Sequence, residues 1–250
     1  MKKLDFKIAL VLFVLGFIGV LSLLKSDLLG VLPKESLDIA LQQFSETQLK
    51  LLTLLSPTIL LVLSIIIGVF TFKRVDLSVP TIENYIKKKP WKLVLKKQIK
   101  FGVIYGIISG GLIVLLSFIF LPFLPEKFIE LQEKFKLSII TRFLYGGITE
   151  EILVRFGALS FIAWISYKII GKKIDTIYWI AILLTSIIFG LGHFPIVFNM
   201  IENPPTLLLI YILLGNGVGG VLFGWLYWKK GLESAIIAHI TTHLIILLFL

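Results

Sequence analysis

Seven stretches of this 250-residue chain are long and apolar enough to cross a lipid bilayer as helices. A helix needs about 20 mainly apolar residues to cross the hydrocarbon core. Hydrophobic residues make up 57% of the sequence, which is more than a soluble globular protein carries. The sequence therefore predicts an all-α, polytopic transmembrane helical bundle. Its seven spans are roughly residues 8–24, 51–72, 101–123, 138–165, 177–200, 206–228 and 232–250.

The basic residues indicate how the chain is oriented. Most lysines and arginines fall before the first span, between the second and third, between the fourth and fifth, and between the sixth and seventh. The positive-inside rule then places the N-terminus in the cytoplasm and the C-terminus outside. The apolar run to Leu24 is long and no small-residue cleavage site follows it, so we expect an uncleaved first span. The Lys-, Ile- and Phe-rich composition suggests a bacterial plasma membrane.

Residues 87–100 combine basic and apolar side chains with helical spacing. Trp91, Leu95 and Ile99 recur every four residues, and lysines line another face. This pattern predicts a basic amphipathic helix on the inner leaflet that binds anionic lipid headgroups. The alternative is a solvated loop that only sets topology. The net charge of +10 is explained by such basic loops, so we expect no nucleic-acid partner.

The few ionisable side chains inside the predicted spans are candidates for function. Such groups are costly in lipid and usually face a bundle interior or a water-filled cavity. All three histidines of the chain, His193, His239 and His243, fall in predicted spans. The chain has no cysteine, which excludes disulfides, thiolate nucleophiles and cysteine metal sites.

The fourth span contains two adjacent carboxylates in the stretch GGITEEILVRFG. Glu151 and Arg155 are four residues apart, which favours an ion pair on one helix face. Glu150 has no basic residue three or four positions away, so it is the unpaired acid and suits proton transfer. Gly146 and Gly147 allow another helix or a substrate to approach closely.

The histidines have spacings that place each beside a partner. Phe189 and His193 lie on one helix face, and Pro195 predicts a kink or an unwound turn after His193. His239 and His243 are one turn apart. Such a pair can hold a metal or direct two donors at one oxygen.

These residues form three ordered motifs, EExxxR, FxxxH and a histidine-led motif of the HxxxN type, within residues 138–250. The set resembles the CPBP intramembrane proteases, which include type II CAAX prenyl endopeptidases and bacterial Abi-type proteins linked to bacteriocin immunity. The resemblance implies a protease core over residues 101–250, preceded by N-terminal spans and a basic segment over residues 1–100. It also implies a membrane-associated protein or peptide as substrate.

The resemblance also implies roles for individual residues. Glu150 matches the acid that activates water, and His193 matches the histidine that assists it. Glu151 and Arg155 match a supporting pair, to which we add Phe189.

The second histidine motif departs from the family pattern. His239 matches the residue that faces the oxygen of the scissile carbonyl, but the usual asparagine beside it is His243 here. A neutral imidazole can still donate to an oxyanion, and Asn216 is a less favoured substitute. The departure leaves one acid and three histidines, Glu150, His193, His239 and His243, which could bind zinc. We favour a metal-independent glutamate protease with no cofactor.

Two other function classes remain open. One is a non-catalytic membrane scaffold or bacteriocin-immunity protein on the same fold, which the His243 departure favours. The other is a proton- or ion-coupled transporter that uses the same buried acids. Inverted-repeat transporters show matching halves, and we find no such repeat.

Overall fold

The computed structural model of the chain describes residues 3–32, 34–134 and 137–250. Lys2 and Lys136, two of the basic residues counted in the prediction of orientation, lie outside the described residues. The described part is helical and contains no strand. We number its helices α1 Lys3–Ser22, α2 Lys34–Gln43, α3 Glu46–Leu52, α4 Leu55–Thr71, α5 Pro80–Ile86, α6 Trp91–Phe120, α7 Glu126–Lys134, α8 Ile139–Ile170, α9 Asp175–Leu191, α10 Phe194–Met200, α11 Thr206–Lys230 and α12 Leu232–Phe249.

The predicted transmembrane bundle is confirmed. Seven helical segments of the described chain are long and apolar enough to cross a membrane. Each of them overlaps one predicted span. The segments are Lys3–Lys25, Glu46–Val75, Trp91–Phe123, Ile139–Ile170, Asp175–Met200, Thr206–Lys230 and Leu232–Phe249.

The basic segment 87–100 differs from the prediction of a separate surface helix. Residues 91–100 are helical, but they are the first turns of α6, which continues without interruption to Phe120. Helix propagation is favourable once a helix has started, and residues 91–101 contain no proline or glycine that would interrupt it. The lysines at 92, 96 and 100 are exposed on this extension.

Helix α8 occupies the centre of the bundle and is wound unusually. Residues Arg142–Glu150 and Ile152–Leu159 form π-helix, in which each amide bonds the carbonyl five residues earlier. Such widened turns are rare and often mark functional sites. We had expected an ordinary α-helix here. One side of α8 packs against α1 and α4, and the other packs against α9, α11 and α12.

Glycines bring α6 and α12 close together along much of their length. A Cβ atom at Gly102 would lie 2.6 Å from Cβ of Ile237, and one at Gly110 would lie 2.6 Å from Cβ of Ile245. Small residues every four positions let membrane helices approach in this way. The close contact fixes α12, which carries two of the predicted site histidines, relative to α6.

Candidate active site

Side chains from four helices surround one cavity inside the bundle. Its volume is about 100 Å³, which exceeds the roughly 30 Å³ that one water occupies in the liquid. All four predicted catalytic residues, Glu150, His193, His239 and His243, line it together. The complete lining is Leu137, Thr141, Arg142, Tyr145, Gly146, Glu150, Phe189, His193, Asn216, His239 and His243.

Glu150 is the acid of this cavity that is free of protein partners. Its carboxylate makes no hydrogen bond or ion pair with any described residue. The side chain is partly accessible, and its accessible part borders the cavity. An unpaired carboxylate beside a space that can hold water is suited to accept a proton from that water.

Glu151 is held from two sides and is completely buried. Its Oε2 lies 3.2 Å from Nε of Arg155, so the ion pair expected from the spacing is present. Its Oε1 lies 2.9 Å from Nδ1 of His239, on another helix. The two adjacent acids therefore differ, because Glu151 serves neighbouring side chains while Glu150 faces the cavity.

Arg155 is also completely buried and is surrounded by rings and carbonyls. Its Cζ lies 5.1 Å from the centroid of Phe189 and 5.5 Å from that of Phe223. Its Nη2 lies 3.4 Å from the carbonyl oxygens of Gly219 and Gly220 on α11. A desolvated guanidinium between aromatic rings gains cation–π energy, which offsets part of its burial cost. Arg155 thus fixes Glu151 and ties α8 to α11.

His193 stands where the fifth span is interrupted. Helix α9 ends at Leu191 and α10 begins at Phe194 with Pro195 in its first turn, as the proline predicted. Nδ1 of His193 lies 2.8 Å from the carbonyl oxygen of Phe189. Since a carbonyl oxygen can only accept, Nδ1 carries the proton, and Nε2 of the neutral ring is an acceptor. The ring of Phe189 meets His193 edge-on at 5.0 Å.

His239 is oriented by the carboxylate of Glu151. Glu151 is paired with Arg155 and is an acceptor, so Nδ1 of His239 donates and Nε2 remains available to the cavity. The ring is stacked between two others, Phe223 at 4.8 Å and His243 at 4.8 Å. This contact set locks the direction of the imidazole.

His243 reaches the cavity close to the backbone of α8. A Cβ atom at Gly146 would lie 2.7 Å from its Nε2, so the glycine makes room for this ring. The close approach that Gly146 and Gly147 predicted is therefore confirmed; Gly147 leaves the same room for Ile240. Nδ1 of His243 is buried and has no hydrogen-bond partner among the described residues.

The four cavity residues do not form a metal-binding cluster. Within the described chain, no three His, Asp or Glu side chains come close enough to hold one metal ion. Nδ1 of His193 and Nδ1 of His239 are occupied by Phe189 and Glu151. The side-chain positions thus do not fit the zinc set considered from the sequence.

The structure adds three residues to the site. Phe223 stacks on His239, and Arg142 and Tyr145 line the cavity. Asn216, the less favoured substitute for the family's asparagine, also lines it. Asn216 donates to the carbonyl of Ile212 in its own helix at 2.9 Å. A polar or charged residue inside an apolar span was the signal for Arg142 and Asn216. No sequence signal distinguishes Phe223 and Tyr145 from packing aromatics.

A second, apolar cavity adjoins the first. Its volume is about 300 Å³, and it shares Phe189, His193, Asn216 and both α12 histidines with the polar cavity. Its other walls are mainly aliphatic and aromatic side chains of α6, α7, α10 and α11. The polar groups thus lie at the wall of a space that suits apolar side chains.

The comparison with known families identifies the region that carries these residues. Residues 132–245 match the family model described as type II CAAX prenyl endopeptidase Rce1-like. This match confirms the resemblance seen in the three motifs, all of which fall within it. Neither a curated protein nor a solved structure matches the chain.

Proposed function

We propose that the chain is an intramembrane protease of the CPBP type, which hydrolyses a peptide bond with a water activated by Glu150; the match of residues 132–245 to the Rce1-like family model supports this. The observation that carries this proposal is the single cavity shared by Glu150 and the three histidines. Glu150 takes a proton from water held in that cavity, and the hydroxide attacks the carbonyl carbon. The C–N bond then breaks, and Glu150 returns the proton to the leaving amine. Nε2 of His193, an acceptor, orients the same water.

His239 and His243 stabilise the oxyanion that forms at the carbonyl. Because Nδ1–H of His239 is engaged by Glu151, His239 donates to the oxyanion through Nε2 as an imidazolium. Glu151 stabilises that cation directly. The ionised Glu150 and Glu151 offset the positive charges of Arg155 and His239, which lowers the cost of placing these four residues within a membrane. The charge of Arg142, which lines the same cavity, is not offset by this set. In His243 the proposed donor is Nε2–H, because Nδ1 is buried and out of reach of a substrate.

The substrate we propose is a membrane-associated protein or peptide with apolar residues beside the cleaved bond. The 300 Å³ apolar cavity supports this choice, since it adjoins the polar groups and would hold such side chains. We also propose that the chain lies in a plasma membrane with its N-terminus in the cytoplasm. Anionic headgroups then contact the exposed lysines at the start of α6.

Exchange of Glu150→Gln tests the hydrolytic role. We expect peptide processing to fall by about a hundredfold or more, since a positioned general base contributes roughly 10²–10⁴. Comparative proteomics of cells with the parent or the variant protein would show a membrane peptide whose cleavage disappears. Glu202→Gln, an exposed acid outside the cavity, is the matched control.

Two results would contradict the proposal. One is unchanged processing in the Glu150→Gln variant. The other is a cellular phenotype that survives the exchange although the variant is inserted and folded. The second result favours the alternative, a non-catalytic scaffold or immunity protein on the same fold.

We also propose that hydrolysis needs no metal. The absence of a convergent His, Asp and Glu cluster among the described residues supports this. Chelators should therefore change the rate of the purified protein by less than about twofold. Loss of activity on chelation, restored by added zinc, would reverse this assignment.

A further inference from the structure

Arg142 is a charged residue of the cavity that the proposed reaction does not use. It is the fourth residue of the span Ile139–Ile170, and it lines the polar cavity together with Glu150. Eight residues separate the two along α8. At about 1.5 Å per residue, this places them no more than about 12 Å apart along the helix.

The guanidinium of Arg142 has unused hydrogen-bonding capacity. Its only hydrogen bond to a described residue runs from Nε to the carbonyl oxygen of Leu137, at 3.4 Å. Among the side chains that the structure describes, which exclude those of residues 132–136, no carboxylate lies within ion-pair distance of Arg142, in contrast to Glu151 beside Arg155. The side chain is only partly buried, so its two terminal nitrogens remain accessible. An unpaired charge inside a span generally marks a binding or transport site.

Tyr145 adds a second donor on the same wall. It lines the cavity three residues after Arg142, and its hydroxyl makes no hydrogen bond with a described residue. The polar groups on the other wall, His193 and His239, already have protein partners. The terminal nitrogens of Arg142 and the hydroxyl of Tyr145 therefore have no hydrogen-bond acceptor among the side chains that the structure describes.

We propose that Arg142, assisted by Tyr145, binds a carboxylate of the substrate. The planar fork of a guanidinium matches the two oxygens of a carboxylate and binds them in a bidentate manner. An extended peptide advances about 3.3–3.6 Å per residue, so this carboxylate lies within about four residues of the cleaved bond. Its source is either the C-terminus of the substrate or an Asp or Glu side chain. The inference rests on the proposed hydrolysis at Glu150 for the identity of the ligand as a substrate.

A binding experiment separates this inference from the proposed reaction. The chain contains no cysteine, so Ile246→Cys, in the wall of the apolar cavity, introduces a single thiol. The Glu150→Gln background prevents turnover, and phosphatidylcholine proteoliposomes carry the full chain. Protection of the thiol from a small methanethiosulfonate reagent then reports binding. Hydrolysis is measured separately in the parent protein, so either result can fail without the other.

The probes are N-acetylated leucine–isoleucine hexapeptides of three kinds. One kind has a free C-terminus, one has a C-terminal amide, and one has the amide plus a glutamate at one of the last four positions. We expect at least one carboxylate peptide to protect the thiol at a concentration about tenfold or more lower than the concentration of neutral amide peptide that gives the same protection. The kind that does so identifies the source of the carboxylate.

Variants assign that preference to Arg142. Arg142→Gln should abolish it, and Arg142→Lys should retain only part of it, because lysine keeps the charge but lacks the fork. Lys168→Gln, an equal charge change at the other end of α8, should leave it intact. Three results would overturn the inference. The acid and amide peptides could protect the thiol equally, the preference could survive Arg142→Gln, or no peptide could protect the thiol. Equal protection would indicate that Arg142 contacts lipid phosphate instead.

Discussion

The two sides of α8 show how one membrane helix can be both a structural support and a reactive surface. The side that faces α1 and α4 is packed without charge. A Cβ atom at Gly157 would lie 2.6 Å from Cβ of Ser64, and one at Gly16 would lie 3.2 Å from Cδ1 of Ile152. Thr149 donates to the carbonyl of Gly16 at 2.8 Å. This side holds α8 in position through close contact and uncharged hydrogen bonds.

The opposite side of α8 carries the acids and the arginine. Glu150 borders the cavity, and Glu151 and Arg155 contact α12 and α11. The contacts are long-range and polar, and each buried charge has an opposite charge or a ring beside it. The difference indicates that the N-terminal helices support α8, whereas the C-terminal helices complete its chemistry.

The largest expected effect comes from breaking the polar side at Glu151. Glu151→Gln leaves Arg155 buried without its counter-charge and replaces the charged acceptor of His239 by a neutral amide oxygen. We expect the free energy of unfolding to fall by about 3–5 kcal/mol. We also expect peptide hydrolysis to be lost, since no carboxylate then stabilises the imidazolium form of His239. Unfolding in mixed micelles measures the first effect, and peptide cleavage measures the second.

The double variant Glu151→Gln with Arg155→Met separates stability from function. Removing both charges should restore much of the free energy of unfolding, because an apolar side chain tolerates burial. Activity should stay absent, because His239 still lacks its carboxylate. Recovery of activity in the double variant would show that Glu151 acts only as the partner of Arg155.

A smaller effect is expected from the apolar side. Gly157→Leu forces a side chain against Ser64 of α4, and overpacking of this kind costs about 1–3 kcal/mol. The rate of hydrolysis per folded molecule should not change, because no cavity group moves. Gly111→Leu is the control, since a Cβ at Gly111 meets nothing within 4 Å. A loss of rate per folded molecule would show that the support side also tunes the cavity.

The spans and the pairing within α8 could be predicted because they depend on local spacing. The length of an apolar stretch identifies a membrane-spanning helix. A separation of four residues places Glu151 beside Arg155 in either an α-helix or a π-helix. The bond from Glu151 to His239 could not be predicted, because it joins residues 88 positions apart. The π-winding also escaped prediction, because apolar side chains surround α8 on several sides and leave no sharp period to read.

The smallest effect is expected at His243, where the chain departs from the family motif that it resembles. His243→Asn replaces one hydrogen-bond donor by another, so hydrolysis should stay within about tenfold of the parent rate. His243→Ala removes the donor, and the loss of one oxyanion contact costs about a hundredfold or more. The ring of His243 also stacks on His239 at 4.8 Å. The asparagine variant therefore loses the stacking contact and keeps a hydrogen-bond donor for the oxyanion. Hydrolysis rates of the parent protein and both variants on one peptide test this expectation. Equal losses in the asparagine and alanine variants would show that His243 acts by holding the His239 ring, and that the donor to the oxyanion lies elsewhere in the cavity.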